Sequence, residues 1–121
     1  MVVDTNILLY LIGGDKQLQS YLESQQLYIS FITELELLGF KNLSMKEEAI
    51  INNLIEMSVV VEMNDAIKRK VIELRKRYSM KLPDAIIAAT SIYLDVQLLT
   101  ADKSFKSKEE LNVILYNPGI N

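Results

Sequence analysis

The sequence predicts a single α/β domain built on a largely parallel sheet with helices on both faces, an α/β/α arrangement of three layers. Short apolar or β-branched segments alternate with longer segments of helical periodicity along the 121 residues, and such alternation is typical of parallel sheets. Half of the residues are hydrophobic, enough for one substantial core but not for two in a chain of this length. We therefore expect residues 1–121 to form one domain.

The individual strands and helices follow from the spacing of apolar residues and from the turn residues between them. Strands are predicted at 1–3, 27–32, 59–62, 96–99 and 113–116. Helices are predicted at 7–12, 15–25, 33–40, 44–57, 64–78 and 83–94, with a further short helix at 108–111. The first of these helices follows a polar turn at residues 5 and 6 and ends at two glycines.

Capping residues mark the starts of three of these helices. Ser44 and Glu47 have the spacing of a capping box, and so do Thr33 and Glu36. Asn64 or Asp65 caps the helix that follows the third strand. The spacing from Thr33 gives Glu36 a structural interpretation that competes with any functional one.

The stretch 82–105 contains two acids that a packed fold does not require. Asp84 follows Pro83 in the first turn of a helix that is apolar on almost every face, where the helix dipole favours negative charge. Asp102 follows the buried strand at 96–99. Helix stabilisation and turn formation are the ordinary interpretations of each acid alone, so a functional interpretation requires several acids to converge.

The chain contains no cysteine and no histidine, and these absences exclude several classes of chemistry. Thiolate nucleophiles, Cys/His zinc sites, Ser-His-Asp triads and histidine acid–base catalysis are ruled out. An enzyme of this composition works with carboxylates, hydroxyls and amines. Carboxylates select hard cations, Mg²⁺ or Mn²⁺, over softer metals. No apolar run could cross a bilayer and no secretory signal is visible, so we expect a cytoplasmic protein without a membrane partner.

The net charge of −3 conceals an asymmetry along the chain. Residues 1–63 carry three lysines and nine acids, a balance of −6, whereas residues 64–121 carry ten basic residues and seven acids, a balance of +3. Much of this excess lies on the helix at 64–78, opposite its apolar stripe. A solvated face is the ordinary interpretation of such a run, and contact with RNA is the alternative.

Topology brings three acids to one edge of the predicted sheet. Asp4 follows the first strand, Asp102 follows the fourth, and Glu36 lies one turn into the helix after the second. The carboxyl ends of parallel strands share an edge, where sites form. Capping explains each acid singly but not their convergence, whereas a divalent metal would offset their repulsion and stabilise charge on a phosphate. Asp84 is not placed by topology.

The segments MVVDTNILLYL, ISFITELELLGF and LPDAIIAATSIYLDVQLLTADKSF resemble the successive blocks of PIN-domain ribonucleases, in particular the VapC toxins of bacterial and archaeal toxin–antitoxin pairs. The resemblance spans nearly the whole chain. It implies a PIN-like fold with the strand order 3-2-1-4-5 and a metal-dependent endoribonuclease. It also implies a homodimer and a cognate antitoxin that places a basic side chain in the acidic pocket.

The resemblance assigns roles residue by residue. The acid of the family's D-T-N falls on Asp4, that of I-T-x-x-E-L on Glu36 rather than Glu34, that of D-A-x-I-A-A on Asp84, and that of T-x-D on Asp102. These four acids are the expected catalytic and metal-binding residues, and Thr5, Asn6 and Thr100 are the expected supporting polar residues. Ser104 stands where many relatives have a further acid. Of the two glutamates, we expect Glu34 to be the exposed one.

Two other classes of protein remain compatible with the sequence. A receiver-type signalling domain shares the length, the alternation and an acid after the first strand, with Asp65 as the possible phosphoacceptor. A PIN-like module without activity, which binds RNA or protein, is the second. For a homodimer, the expected surface comprises Tyr10, Leu11, Leu37 and Phe40, although these side chains could equally fill the core.

Overall fold

A computed structural model describes residues 1–118, and the expected domain end at residue 121 lies outside them. The five strands are β1 Val2–Val3, β2 Tyr28–Ser30, β3 Val59–Val61, β4 Leu98–Thr100 and β5 Val113–Leu115. The helices are α1 Thr5–Ile12, α2 Lys16–Leu22, α3 Phe31–Leu38, α4 Met45–Met57, α5 Asp65–Arg77 and α6 Leu82–Leu94, with a 3₁₀ helix at Lys103–Ser107. Within residues 1–118, no helix is long and apolar enough to span a membrane.

The strands form one sheet in the order β3-β2-β1-β4-β5, and every neighbouring pair is parallel. This confirms the predicted fold class and strand order. A receiver-type domain of the CheY kind has the order 2-1-3-4-5, so the signalling alternative was wrong. Asp65, its possible phosphoacceptor, lies in the first turn of α5.

The sheet divides the hydrophobic core of the domain into two clusters, because successive side chains of a strand point to opposite faces. Val2 and Leu98 pack with α5 and α6 on one face, whereas Val3 and Leu99 pack with α1, α2 and α4 on the other. Helix α6 is the most buried helix, since every residue from 85 to 91 is inaccessible to solvent or nearly so. The three predicted layers are therefore present.

Several element boundaries differ from those predicted. Helix α1 begins at Thr5, so residues 5 and 6 are its first turn rather than a separate polar turn. Helix α2 ends at Leu22, before the predicted position 25. The short helix predicted at 108–111 was wrong, because the helical turn lies at Lys103–Ser107. The capping box of Ser44 with Glu47 and the cap at Asn64 were both confirmed.

Helix α3 corrects the interpretation of Thr33 as an N-cap. The helix begins at Phe31, two residues earlier, because the Ser30 hydroxyl accepts a hydrogen bond from the backbone N–H of Ile32 (3.2 Å). Thr33 is therefore inside the helix and fully buried. Glu36 consequently has no capping role, and its structural interpretation was wrong.

Candidate active site

A cleft of about 540 Å³ opens at the carboxyl edge of the sheet. It lies at the ends of the neighbouring strands β1 and β4. The connections that follow these two strands lead to opposite faces of the sheet, and ligands of open α/β folds bind at such a point. All four predicted acids line it, together with a few polar and apolar side chains. Its walls comprise Asp4, Thr5, Asn6, Leu9, Leu35, Glu36, Gly39, Phe40, Asp84, Ile87 and Asp102.

Asp4 is the most buried of the four acids, at 5% exposure. The Thr100 hydroxyl donates to its Oδ2 (2.7 Å), and the backbone N–H of Asp102 donates to the same hydroxyl (3.0 Å). Burial raises the pKa of Asp4, the hydrogen bond from Thr100 opposes this shift, and the charges of Asp102 and Glu36 add to it. Asp4 is thus a desolvated carboxylate held in one orientation by β4.

Glu36 is positioned by a pair of threonine hydroxyls. The Thr5 hydroxyl donates to Glu36 Oε1 (2.8 Å) and lies 3.0 Å from the Thr33 hydroxyl. A hydroxyl carries one proton, so when Thr5 donates to the carboxylate, Thr33 is the donor to Thr5. This relay directs Glu36 into the cleft although the residue is exposed. Glu34 is half-buried, contrary to the expectation that it is the exposed glutamate.

Asp84 projects into the cleft from the first turn of α6. Burial raises its pKa, the charges of Asp4 and Asp102 raise it further, and the charge of Lys81 opposes the shift. Topology alone did not place Asp84, because α6 follows another helix rather than a strand. Helix α6 packs against α5, and its first turn lies at the edge where the other acids lie.

Asp102 combines the two roles that the sequence left open. Its Oδ1 accepts a hydrogen bond from the backbone N–H of Ser104 (2.9 Å), which caps the 3₁₀ helix. Its charge nevertheless acts on Asp4 and Asp84, and the residue lines the cleft. Capping by one carboxylate oxygen therefore does not exclude a role in the site.

The three polar residues expected to support the acids lie at the cleft. Thr5 and Thr100 hydrogen-bond to Glu36 and Asp4, and Asn6 lines the cleft. Thr33 was missed as a supporting residue, although it is the threonine of the I-T-x-x-E-L block. Thr33 lies three positions before Glu36 on one helix, and residues at this spacing share a helix face. This spacing could have indicated that Thr33 supports Glu36.

The donor set of the cleft fits a hard divalent cation. Its ligands are carboxylate and hydroxyl oxygens, and two of the acids have pKa values raised partly by their acidic neighbours. Among residues 1–118, however, no three acids are close enough to form a complete ligand set. Mg²⁺ keeps several waters and is bound through one or two carboxylates, so it does not require such a set.

A parallel sheet in this order, with a carboxylate-lined cleft at its carboxyl edge, defines a PIN-like nuclease domain. The model of the PIN domain family matches residues 1–111, whereas a search of curated proteins gave no match. The chain therefore belongs to the PIN domain family, and it is a nuclease of the VapC toxin type. PIN nucleases generally use divalent metal ions.

Three solved structures illustrate the similarity. A toxin–antitoxin complex from Klebsiella pneumoniae is 31% identical, with a TM-score of 0.79 over 93% of this chain and 94% of that chain. VapBC-1 from nontypeable Haemophilus influenzae is 26% identical, with a TM-score of 0.77 over 94% and 96%. VapBC2 from Rickettsia felis, bound to a DNA fragment from its promoter, is 18% identical, with a TM-score of 0.84 over 96% and 98%.

Proposed function

We propose that this protein is an Mg²⁺- or Mn²⁺-dependent endoribonuclease that hydrolyses phosphodiester bonds of single-stranded or looped RNA. The observation that supports this most strongly is the group of four acids, Asp4, Glu36, Asp84 and Asp102, on the walls of one cleft. With neither histidine nor cysteine in the chain, carboxylates are the groups left to handle protons and metal.

The four acids have distinct tasks in this proposal. One or two of them would hold the cation, which when bound would acidify a water and offset the charge that develops on the phosphate. Asp4 and Asp84, the two acids whose pKa values are raised, accept a proton more readily than ordinary carboxylates. Thr100 and Thr5 fix the orientation of Asp4 and Glu36.

The proposal is tested by the substitution Asp84→Asn. We expect the cleavage rate of a labelled RNA to fall by about two orders of magnitude or more, as when a group that stabilises charge in the transition state is removed. Asp65→Asn is the matched control, because Asp65 also lies in the first turn of a helix but does not line the cleft. Equal losses in both proteins would contradict the proposal.

The same assay addresses the remaining alternative, a PIN-like module that binds without cutting. That alternative predicts no cleavage by the wild-type protein with either Mg²⁺ or Mn²⁺. A single-stranded DNA of the same sequence is the specificity control, and cleavage of DNA in preference to RNA would contradict the proposed substrate. We also propose that the protein acts in the cytoplasm, where such a substrate is found.

We further propose that a cognate antitoxin inhibits the nuclease by occupying this cleft. Two of the similar structures are VapBC complexes and a third is a toxin–antitoxin complex. A cleft of carboxylates attracts an arginine or lysine as well as a cation, so the inhibitor and the metal compete. Inhibition should weaken as Mg²⁺ rises, and inhibition independent of Mg²⁺ concentration would reject this shared site.

A homodimer is the last part of the proposal, but its expected surface requires correction. Leu37 is fully buried and fills the interior, whereas Tyr10 and Leu11 of α1 are partly buried and pack against the core. Phe40 alone is substantially exposed, at 43%. Sedimentation at micromolar concentration should give a species of twice 13.8 kDa, and a monomer alone would reject the dimer.

A further inference from the structure

The two helical layers of the protein carry opposite charge. The elements from α1 to β3 contain three of the thirteen basic residues, whereas the other ten lie between Lys68 and Lys108, on α5, the α5–α6 turn, the 3₁₀ helix and its end. The excess of positive charge along the sequence therefore becomes a basic layer on one face of the sheet. The acidic cleft lies at the edge between the two layers.

The two rims of the cleft differ in the same way. On the side of α1 and α3 the lining residues include the apolar Leu9, Leu35 and Phe40, with one exposed lysine, Lys41, next to Phe40. On the side of α6, Lys81 lies immediately before the helix, three residues from Asp84, and its charge reaches that carboxylate. Lys103 follows Asp102 at the start of the 3₁₀ helix, and Phe105 of that helix packs into the core cluster of α5 and α6.

Several cations of this basic layer remain available to a ligand. Lys81, Lys103 and Lys106 are exposed, and Lys103 and Lys106 share one face because residues three apart eclipse in a 3₁₀ helix. Arg77 and Lys108 are less available, since they lie 5.2 Å and 5.0 Å from the centre of the Tyr78 ring. Arg77 also pairs with Glu109 and Glu110 (both 3.2 Å).

We propose that Lys81, Lys103 and Lys106 form a phosphate-binding rim that carries the backbone of single-stranded RNA past the acids of the cleft. This inference rests on the proposed nuclease function and adds the direction from which the substrate enters. Charge complementarity favours it, because the acids repel a polyanion, the residues that line the cleft include no cation, and most basic residues of the chain lie on the side of α5 and α6. A protein of net charge −3 needs such a local rim to hold RNA.

The rim is tested by RNA binding in the Asp84→Asn protein, with Mg²⁺ present. This background prevents the charge of Lys81 from acting through Asp84. The test variant adds Lys81→Gln and Lys103→Gln, and the matched control adds Lys16→Gln and Lys46→Gln. All four lysines are exposed and both pairs change the net charge by the same amount. The probe is a fluorescein-labelled oligouridine, and the readout is anisotropy across a series of salt concentrations.

Each contact with a phosphate of single-stranded nucleic acid contributes about 0.7 to the slope of log K against log salt. Loss of two contacts should lower this slope by about 1.4 and weaken binding about 25-fold at 0.1 M salt, while the control pair leaves the slope unchanged. Equal effects of the two pairs, or no binding before the lysines are changed, would overturn the inference. So would equally effective competition by polyglutamate, which would indicate a site for acidic protein.

A cleavage assay separates failure of this inference from failure of the proposed function. If the wild-type protein cleaves RNA and Lys81→Gln with Lys103→Gln leaves kcat/KM and its salt dependence unchanged, the rim is wrong and the nuclease proposal stands. If the wild-type protein does not cleave RNA but the binding slopes differ as expected, the rim stands and the nuclease proposal is wrong.

Discussion

Asp102 has both a capping role and a place in the acidic cleft, and two substitutions separate them. Its Oδ1 accepts the N–H of Ser104. Asparagine keeps an acceptor at this position and removes only the charge, whereas alanine removes both. Loss of a cap costs about 1 kcal/mol, so in chelator we expect Asp102→Ala to be less stable than Asp102→Asn by that amount. Asp102→Asn should be no less stable than wild type, because repulsion of Asp4 and Asp84 is relieved.

Urea denaturation of the three proteins measures this difference directly. A change of about 1 kcal/mol corresponds to a shift of about 0.5 M in the midpoint for a domain of this size. Addition of Mg²⁺ should stabilise the wild-type protein more than Asp102→Asn, because a ligand stabilises the state that binds it. If Asp102→Asn loses as much stability in chelator as Asp102→Ala, the carboxylates do not form a repulsive cluster.

Three further predictions concern other contacts. The raised pKa of Asp4 means that Asp4 binds a proton more tightly in the folded protein than in the unfolded chain. Any stability advantage of Asp4→Asn in chelator should therefore shrink as the pH falls from 7 through the raised pKa, and urea melts at pH 7 and 4 measure this. Thr33→Val should lower kcat/KM for RNA by about tenfold, because Glu36 loses the hydroxyl pair that orients it. Thr33→Ser keeps the hydroxyl and should retain activity. Equal losses of kcat/KM in the two variants would reject the role of this hydroxyl pair. Tyr116 donates to Asp15 (2.6 Å), which raises the pKa of Tyr116 to about 12. Tyr116→Phe should lower the urea midpoint at pH 8, because it removes this hydrogen bond. The difference from wild type should shrink as the pH rises from about 10 toward 12, because Tyr116 then ionises in the wild-type protein and its contribution to stability is lost. A difference that is constant with pH would contradict this.

The fold and most of the candidate site could be predicted from the sequence because parallel strands bring their carboxyl ends together. Asp4 and Asp102 follow strands directly, so their meeting required only the sheet order. Asp84 required more, since its position depends on the packing of α6 against α5 and on the burial of residues 85–91. Strand alternation carries no information about this packing, and only the family resemblance supplied the position of Asp84.

The errors arose where two local signals compete. Thr33 with Glu36 satisfies the spacing of a capping box, but Ser30 offers an earlier cap, and the helix extends to it. Once Thr33 is inside the helix, its hydroxyl faces Thr5, 28 residues away in the sequence. The short helix predicted at 108–111 failed for a related reason, because Asp102 caps a turn that begins five residues earlier. The exposure of Glu36 relative to Glu34 likewise depends on tertiary packing that spacing does not encode.

The metal dependence of RNA cleavage by the wild-type protein tests the central claim most directly. A labelled single-stranded RNA is incubated with the protein in excess, once with Mg²⁺ and once with EDTA, and single-turnover rates are compared. Because all four candidate groups are carboxylates that line one cleft, we predict cleavage with Mg²⁺, its loss in EDTA, and its return when Mg²⁺ is restored in excess. Cleavage at the same rate in EDTA and in Mg²⁺ would contradict the proposed mechanism.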